Sequence, residues 1–242
     1  NEKINFGKTT FGKESFANWM LENNTLLVSI GISNKINGWI LAHYAEEIKK
    51  VPYRYFKKFN GKFFENGYLL NARQVESPNF DSRPSSVFVD LIVIHSISLP
   101  PNCYEGEGIL KFFTNQLDVN EHPYYRDISD LKVSSHILIR RNGEIIQFVN
   151  FDSRAWHAGK SCFLGKENCN DYSIGIELEG NDTSNFEDIQ YAVLLPLLQS
   201  IMKYYPNITN ERIVGHDIIA PGRKTDPGRG FDWSKVRGVS FT

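Results

Sequence analysis

The sequence predicts an α/β fold for residues 66–242, and three observations lead there. Short apolar runs alternate with a helix-length stretch whose apolar residues recur at helical spacing. An Asn-Gly pair separates two of the apolar runs, which marks a hairpin. Two histidines, His95 and His216, each follow an apolar run, where functional side chains gather in α/β sheets.

Taken in order, Leu91–Ile94 reads as a buried strand that delivers His95 at its end. Gly108–Thr114 reads as a helix. Val133–Arg140 and Glu144–Val149 flank Arg141-Asn142-Gly143 and form the hairpin, because Asn and Gly both tolerate positive φ. Ser173–Glu179 is another strand. Ile189, Val193, Leu197, Leu198, Ile201 and Tyr205 mark a helix with one apolar face, which Pro196 is expected to kink. Arg212–Val214 is a short strand leading into His216.

Composition bounds the function. The chain has 242 residues, 41% hydrophobic and 23% charged, as an ordinary globular protein does. A net charge of −1 argues against a dedicated nucleic-acid binder, which carries a basic excess. Apolar runs such as Leu91–Ile94 are far too short to span a bilayer. Cys103, Cys162 and Cys169 are too few and too unevenly spaced for a disulfide scaffold, which fits a reducing compartment. The chain begins at Asn1 without a Met, and its start shows no apolar signal region or cleavage site, which makes a removed signal peptide the less favoured reading.

Charge divides the chain. Residues 1–65 hold ten Lys/Arg and six Asp/Glu, against 17 and 22 in the remainder. With turn pairs at Asn60-Gly61 and Asn66-Gly67, this predicts an N-terminal extension, 1–65, ahead of a catalytic-sized region, 66–242. Within the extension, Ser15–Leu21 reads as a short helix and Leu26–Ile32 as a strand. Ile36 to Val51 recurs at helical spacing, and Lys49–Lys62 interleaves basic and aromatic residues. Some 65 residues bury little surface alone, so Trp19, Trp39, Phe56 and Phe59 are expected to pack on the larger region. Gly7-Lys8-Thr9-Thr10-Phe11-Gly12-Lys13 imitates a phosphate-binding loop. It continues with Glu14 instead of Ser or Thr and follows no apolar strand, which removes the nucleotide reading.

Among the six histidines, His43 falls on an apolar helical face, His122 in a loop before Pro123, and His136 within a hairpin strand. His157, in Trp156-His157-Ala158-Gly159, lies in a loop where small residues follow an aromatic one. Asp226 comes ten residues after His216, within Arg223-Lys224-Thr225-Asp226-Pro227-Gly228. Two imidazoles and a carboxylate suit a catalytic zinc with an open fourth position. Spacing alone takes the argument no further than that.

Other residues carry a resemblance. Asn71-Ala72-Arg73, Asp81-Ser82-Arg83-Pro84, Val93-Ile94-His95, Asn120-Glu121-His122-Pro123-Tyr124, Val133-Ser134-Ser135-His136, Arg154-Ala155-Trp156-His157-Ala158-Gly159, Cys169-Asn170-Asp171, Ser173–Gly180, Gly215-His216 and Lys224–Gly228 follow one another in a familiar order. With Phe231-Asp232-Trp233 closing the series, Asn66–Gly238 resembles the AmpD-type N-acetylmuramoyl-L-alanine amidases, cytoplasmic zinc enzymes of cell-wall recycling. The resemblance and the periodicity together imply one mixed central sheet flanked by helices, in the fold shared with peptidoglycan-recognition proteins.

The resemblance implies one zinc ion per chain, held by His95, His216 and Asp226. It implies Glu177 as general base and Lys224 as the cation that stabilises the transition state. It directs Ser96, Lys132, Trp156 and His157 towards a muropeptide substrate. Departures from the family stand at Ser96, where an Asn is expected, at Asp217, and at Lys132 and Asn168, where arginines are expected to meet a peptide carboxylate. The implied reaction is hydrolysis of the amide between the muramic lactyl group and L-alanine in (1,6-anhydro)muramyl peptides. The alternatives are a recognition module that binds without cutting and an exported lytic amidase. Oligomeric state is not legible.

Strand alternation places Ile174, Ile176 and Leu178 on the packed face and Gly175, Glu177 and Glu179 on the other. Parity cannot separate the two carboxylates. Open space beside Gly175 and solvent at the strand's end near Glu179 favour Glu177 as the more enclosed base.

Overall fold

The structure is a computed structural model that describes residues 64–104 and 106–237, with the backbone of Lys3–Phe6 and Thr9–Gly12. Those two segments, β1 (Lys3–Phe6) and β2 (Thr9–Gly12), form an antiparallel hairpin. Thr9 to Gly12 is therefore extended strand, which agrees with discarding the phosphate-loop reading. The other expectations for the extension, including burial of Trp19, Trp39, Phe56 and Phe59, lie outside the described residues.

The described region begins with β3 (Phe64–Glu65) and β4 (Tyr68–Leu69), joined by Asn66 and Gly67 at φ of 50° and 77°. Positive φ at both turn residues is what an Asn-Gly pair supplies. The boundary expected between residues 65 and 66 falls inside this hairpin, because Phe64 packs edge-on against Phe151 in the core. The Asn66-Gly67 turn pair is a hairpin tip.

Six strands build the central sheet: β5 (Arg73–Gln74), β7 (Leu91–Ile97), β8 (Ile137–Ile139), β9 (Ile145–Gln147), β13 (Ser173–Glu179) and β14 (Ile213–Gly215). Their order is β14-β7-β13-β8-β9-β5. Pairs β14–β7, β7–β13, β13–β8 and β9–β5 are parallel, and β8–β9 is antiparallel. Between sheet strands, β6 (Phe80–Ser82) pairs with β10 (Ser153–Ala155), and β11 (Cys162–Phe163) pairs with β12 (Lys166–Glu167). The helices are α1 (Gly108–Phe113), α2 (Pro123–Ile128), α3 (Asp188–Tyr204), α4 (His216–Ile219) and α5 (Trp233–Arg237).

The mixed sheet, the β8–β9 hairpin and the helix at α3 agree with the sequence reading. Gly143 takes a φ of 83° in the hairpin turn. Two details differ. Strand β7 continues through Ser96 and Ile97, so His95 stands inside the strand rather than at its end, held by the parallel ladder to β13. The loop around His122 starts a helix: the ring's Nδ1 accepts from the Tyr124 N–H at 3.1 Å, capping α2 with Pro123 in its first turn.

Both faces of the sheet are covered. Ile92, Ile94, Ile137, Ile139, Ile174, Ile176 and Leu178 pack against the apolar side of α3. On the opposite face, Leu138, Ile146 and Phe148 meet α1 through Ile109, Leu110 and Phe113. Leu91 and Val93 meet Tyr172, Val214 and Ile219 there. All seven residues of β13 are consequently buried, whereas alternation foresaw one packed face. Between these two smaller apolar groups, on the same face, lies a polar gap.

Candidate metal centre and active site

Register fills that gap. His95 of β7 and Glu177 of β13 are direct partners in the parallel ladder, so their side chains rise side by side from the sheet. Strand β14 pairs with the other edge of β7, and the chain turns at Gly215 so that His216 opens α4. The Asp217 N–H donates to the Asp226 carbonyl at 3.0 Å and brings the Lys224–Asp226 segment against His216.

Three side chains converge. His95 Nδ1 lies 3.0 Å from both His216 Nδ1 and Asp226 Oδ2, and His216 Nδ1 lies 3.1 Å from Asp226 Oδ2. All three residues are buried, and together they form a group able to hold a metal ion. Burial pushes the His95 imidazole down to about 4, against the pull of Asp226, so it is neutral at working pH. Burial also opposes ionisation of Asp226, but the two imidazoles facing its Oδ2 outweigh it and hold the carboxyl well below its usual range.

The donor set fits a cation. The Nε2 of His216 faces the Ala158 carbonyl at 3.1 Å and the Arg223 guanidinium at 3.4 Å; the nearer group only accepts, which favours the proton of that ring on Nε2. Its Nδ1 then turns a lone pair towards an ionised carboxylate. Acceptors at this spacing repel unless positive charge sits among them. Ligands at zinc's bond length of about 2.0–2.1 Å in a tetrahedral set stand about 3.3 Å apart, close to the separations here.

A cleft of about 320 Å³ opens over this group. Its walls include Glu177, Lys224, Ser96, Trp156 and His157, with Phe112, Tyr124 and Leu131 on the apolar side. Burial, reinforced by the charge of Asp226, raises the Glu177 carboxyl well above the usual carboxylate range, while Lys224 opposes the rise. Among the described residues, Glu177 Oε2 is buried without a hydrogen-bond partner. Lys224 stays exposed at the rim. Ser96 donates to Asp182 Oδ1 at 3.2 Å. Lys132 is exposed and stands between the lining residues Leu131 and Val133 without lining the cleft itself.

Glu177 and Glu179 differ from expectation in two respects. Glu179 is 1% exposed and Glu177 8%, so Glu179 is the more buried of the two. It accepts the Arg141 N–H at 3.1 Å beside the hairpin turn, away from the cleft. The space over Gly175 is filled by the His157 ring, not open. What distinguishes Glu177 is its register beside His95 and its place in the cleft wall.

Sequence reasoning saw His157 as a residue facing substrate. In the structure its Nδ1 lies 2.9 Å from His95 Nε2 and its Nε2 lies 3.1 Å from Ser173 Oγ. Asn170 and Arg223, which hold the segment behind the histidines, were not singled out at all. Asn170 Oδ1 accepts from the His157 and Ala158 N–H groups at 3.1 and 2.8 Å. Arg223 Nη2 donates to the Ala158 carbonyl at 2.6 Å. The signal for Asn170 was present in Cys169-Asn170-Asp171, but nothing local tells which backbone an Asn will serve.

Comparison with known proteins agrees with this geometry. Residues 84–229 match the family model described as N-acetylmuramoyl-L-alanine amidase. The chain is 52% identical over 174 residues to the 1,6-anhydro-N-acetylmuramyl-L-alanine amidase AmpD of Haemophilus influenzae, covering 72% of this chain and 95% of that protein. It is 50% identical over 173 residues to AmpD of Escherichia coli, covering 72% and 94%. A crystal structure of a selenomethionine AmpD derivative superposes with a TM-score of 0.71 at 49% identity, covering 73% of this chain and 98% of that one. With the family's fold, its motifs and half of its residues in place, the chain belongs to the AmpD-type N-acetylmuramoyl-L-alanine amidases.

Proposed function

We propose that this amidase cleaves the amide between the muramic lactyl group and L-alanine in 1,6-anhydromuramyl peptides, using one zinc ion held by His95, His216 and Asp226. The observation that supports it best is the convergence of His95 Nδ1, His216 Nδ1 and Asp226 Oδ2 beside an unpartnered Glu177 oxygen. The AmpD relatives are named for this anhydro substrate class. A cytoplasmic address belongs to the same reading and follows from the family resemblance alone. No helix among the described residues is long and apolar enough to cross a membrane.

Zinc, when bound, supplies Lewis acidity that polarises a carbonyl and makes water acidic near neutral pH. Glu177 takes the proton from the attacking water, and its raised carboxyl pKa makes it a stronger base than a solvated glutamate. Water's oxygen bonds to the lactyl carbonyl carbon, the C–N bond breaks, and Glu177 returns the proton to the departing L-alanine nitrogen. The Lys224 ammonium, at the rim of the same cleft, faces the oxyanion that develops on the former carbonyl oxygen. Phe112, Tyr124 and Leu131 give the substrate an apolar wall, while Ser96 and Trp156 offer polar contacts. The Trp156 indole nitrogen has no hydrogen-bond partner among the described residues.

The test is metal analysis of the protein purified without chelator, combined with assay of an anhydromuramyl tripeptide with and without chelator. About one zinc per chain and activity lost on chelation and restored by zinc are expected. Substrate binding without turnover by the zinc-loaded protein overturns the catalytic reading in favour of a recognition module. Failure to take up zinc overturns the metal assignment.

A further inference from the structure

Two consecutive residues, His157 and Ala158, meet the far sides of the two histidines of the metal group. The side chain of the first faces His95 Nε2 at 2.9 Å, and the carbonyl of the second faces His216 Nε2 at 3.1 Å. Both contacts end on groups that can only accept, which assigns every proton along the way. Ser173 Oγ lies 2.6 Å from the Cys169 carbonyl and donates there. Its oxygen is then left to accept from His157 Nε2 at 3.1 Å. With its one proton on Nε2, His157 has a bare Nδ1 that accepts from His95 Nε2. His95 therefore presents its own bare Nδ1 to Asp226, as His216 does.

The surroundings fix this arrangement. Asn170 Oδ1 accepts both the His157 and Ala158 N–H groups, so one amide oxygen locates both contacts. Arg83 donates to the Ser173 carbonyl at 2.8 Å and to the Asn170 carbonyl at 3.1 Å, holding the far end of the relay. Gly175 makes room for the ring: a Cβ there would stand 2.5 Å from His157 Cγ.

We infer that His157 is a positioning residue of the metal site, which fixes the tautomer and orientation of His95 through Nδ1 and is itself oriented by Ser173. The inference rests on His95 being a zinc ligand. A metal-bound histidine donates its other ring N–H to a carboxylate, a carbonyl or water as a rule, and such partners commonly govern affinity. A neutral imidazole in that place is a weaker acceptor than a carboxylate, and its direction is set only by what lies behind it. Ser173 and the Cys169 carbonyl are what lie behind it.

The tests use the full chain. In the zinc-loaded wild type, long-range 15N–1H correlation spectra of the histidine rings should show His157 protonated on Nε2 alone. A 15N–15N coupling across the hydrogen bond from His95 Nε2–H to His157 Nδ1 should accompany it. A proton on His157 Nδ1 overturns the inference without any variant having to fold. Zinc affinity, measured by competition with a chromophoric chelator, should fall about 10–100-fold in His157→Leu. In His157→Asn an amide oxygen takes the place of Nδ1, and most of that loss should be recovered. Wild-type affinity in folded His157→Leu, or an equal loss in both variants, overturns the positioning role while leaving the zinc reading intact. A wild-type chain that takes up no zinc overturns the zinc reading itself.

Discussion

The two faces of strands β7 and β13 are built by alternate residues of the same segments, yet they are buried by opposite means. One face offers Ile92, Ile94, Ile174, Ile176 and Leu178 to α3, and nothing there asks for a partner. The other offers His95, Ser173, Gly175, Glu177 and Glu179, equally shut from bulk water. Burial of the first face is favourable through apolar area alone, roughly 1.5–3 kcal/mol for each large side chain. Burial of the second is tolerable only because donors and acceptors are matched, as between Ser173, His157 and His95. Mismatch remains at two places, the unpartnered Glu177 oxygen and the three facing acceptors. Those are the places where water, metal and substrate are expected. The contrast teaches that chemistry sits where burial is left incomplete.

The contrast can be broken from the polar side first. Asp226→Ala removes the only charged member of the metal group, and zinc uptake and turnover should both fall to background, read by metal analysis and a muropeptide assay. Glu177→Gln should keep its zinc and lose on the order of a hundredfold or more in kcat, as removal of a positioned acid-base group does. Ile176→Ala, one residue away but on the other face, should cost about 2–5 kcal/mol of stability by urea unfolding. The folded fraction of that variant should bind zinc normally. Glu179→Gln should leave kcat within a few-fold of wild type and cost about 1–3 kcal/mol, through its contact with the Arg141 backbone. A loss of kcat in Glu179→Gln exceeding that in Glu177→Gln would reverse the roles of the two carboxylates.

A pH series sharpens the comparison in the metal-free protein. The folded-state pKa of Glu177 is raised, so the native chain holds a proton that the unfolded chain releases. Its contribution to stability is complete below the unfolded carboxylate value and is lost as pH rises through the higher folded value. Glu177→Gln mimics the protonated acid and escapes this loss. It should therefore be more stable than wild type at pH 7, and the gain should vanish near pH 4, as urea midpoints at the two values would show. An equal gain at both values would mean that ionisation of Glu177 does not strain the fold.

Much of the fold was legible because it is written locally. The turn at Asn142-Gly143 and the periodicity of α3 each need only a few neighbouring residues to declare themselves. The site was legible as a list of residues but not as an arrangement. Glu177 beside His95 is a matter of register between two strands far apart in sequence, and parity along one strand cannot reveal it. The two-sided cover of β13 was missed for a related reason: its second face is met by His157 over Gly175 and by the Arg141 backbone at Glu179, both from elsewhere in the chain. His157 was noticed for the small residues after it, whereas its direction depends on Ser173 and on the gap above Gly175. The Asn66-Gly67 pair was legible as a turn, but the packing of the adjoining Phe64 on Phe151 is a tertiary contact that no local signal reveals.

The parallel ladder also has a kinetic consequence. His95 meets His216 across 121 residues of chain and Asp226 across 131, so the metal group is assembled from contacts between distant parts of the domain. Loops of that length close slowly, and parallel pairings come late because little local structure rewards them beforehand. The β8–β9 hairpin and α3 can form early, while the cleft exists only once β14 has joined the edge of β7. Metal ions in a growing or refolding chain therefore meet a scaffold already committed to its shape. Zinc should slow the opening of the finished domain far more than it speeds its formation, so its presence should be felt in the unfolding limb of a chevron and hardly at all in the refolding one.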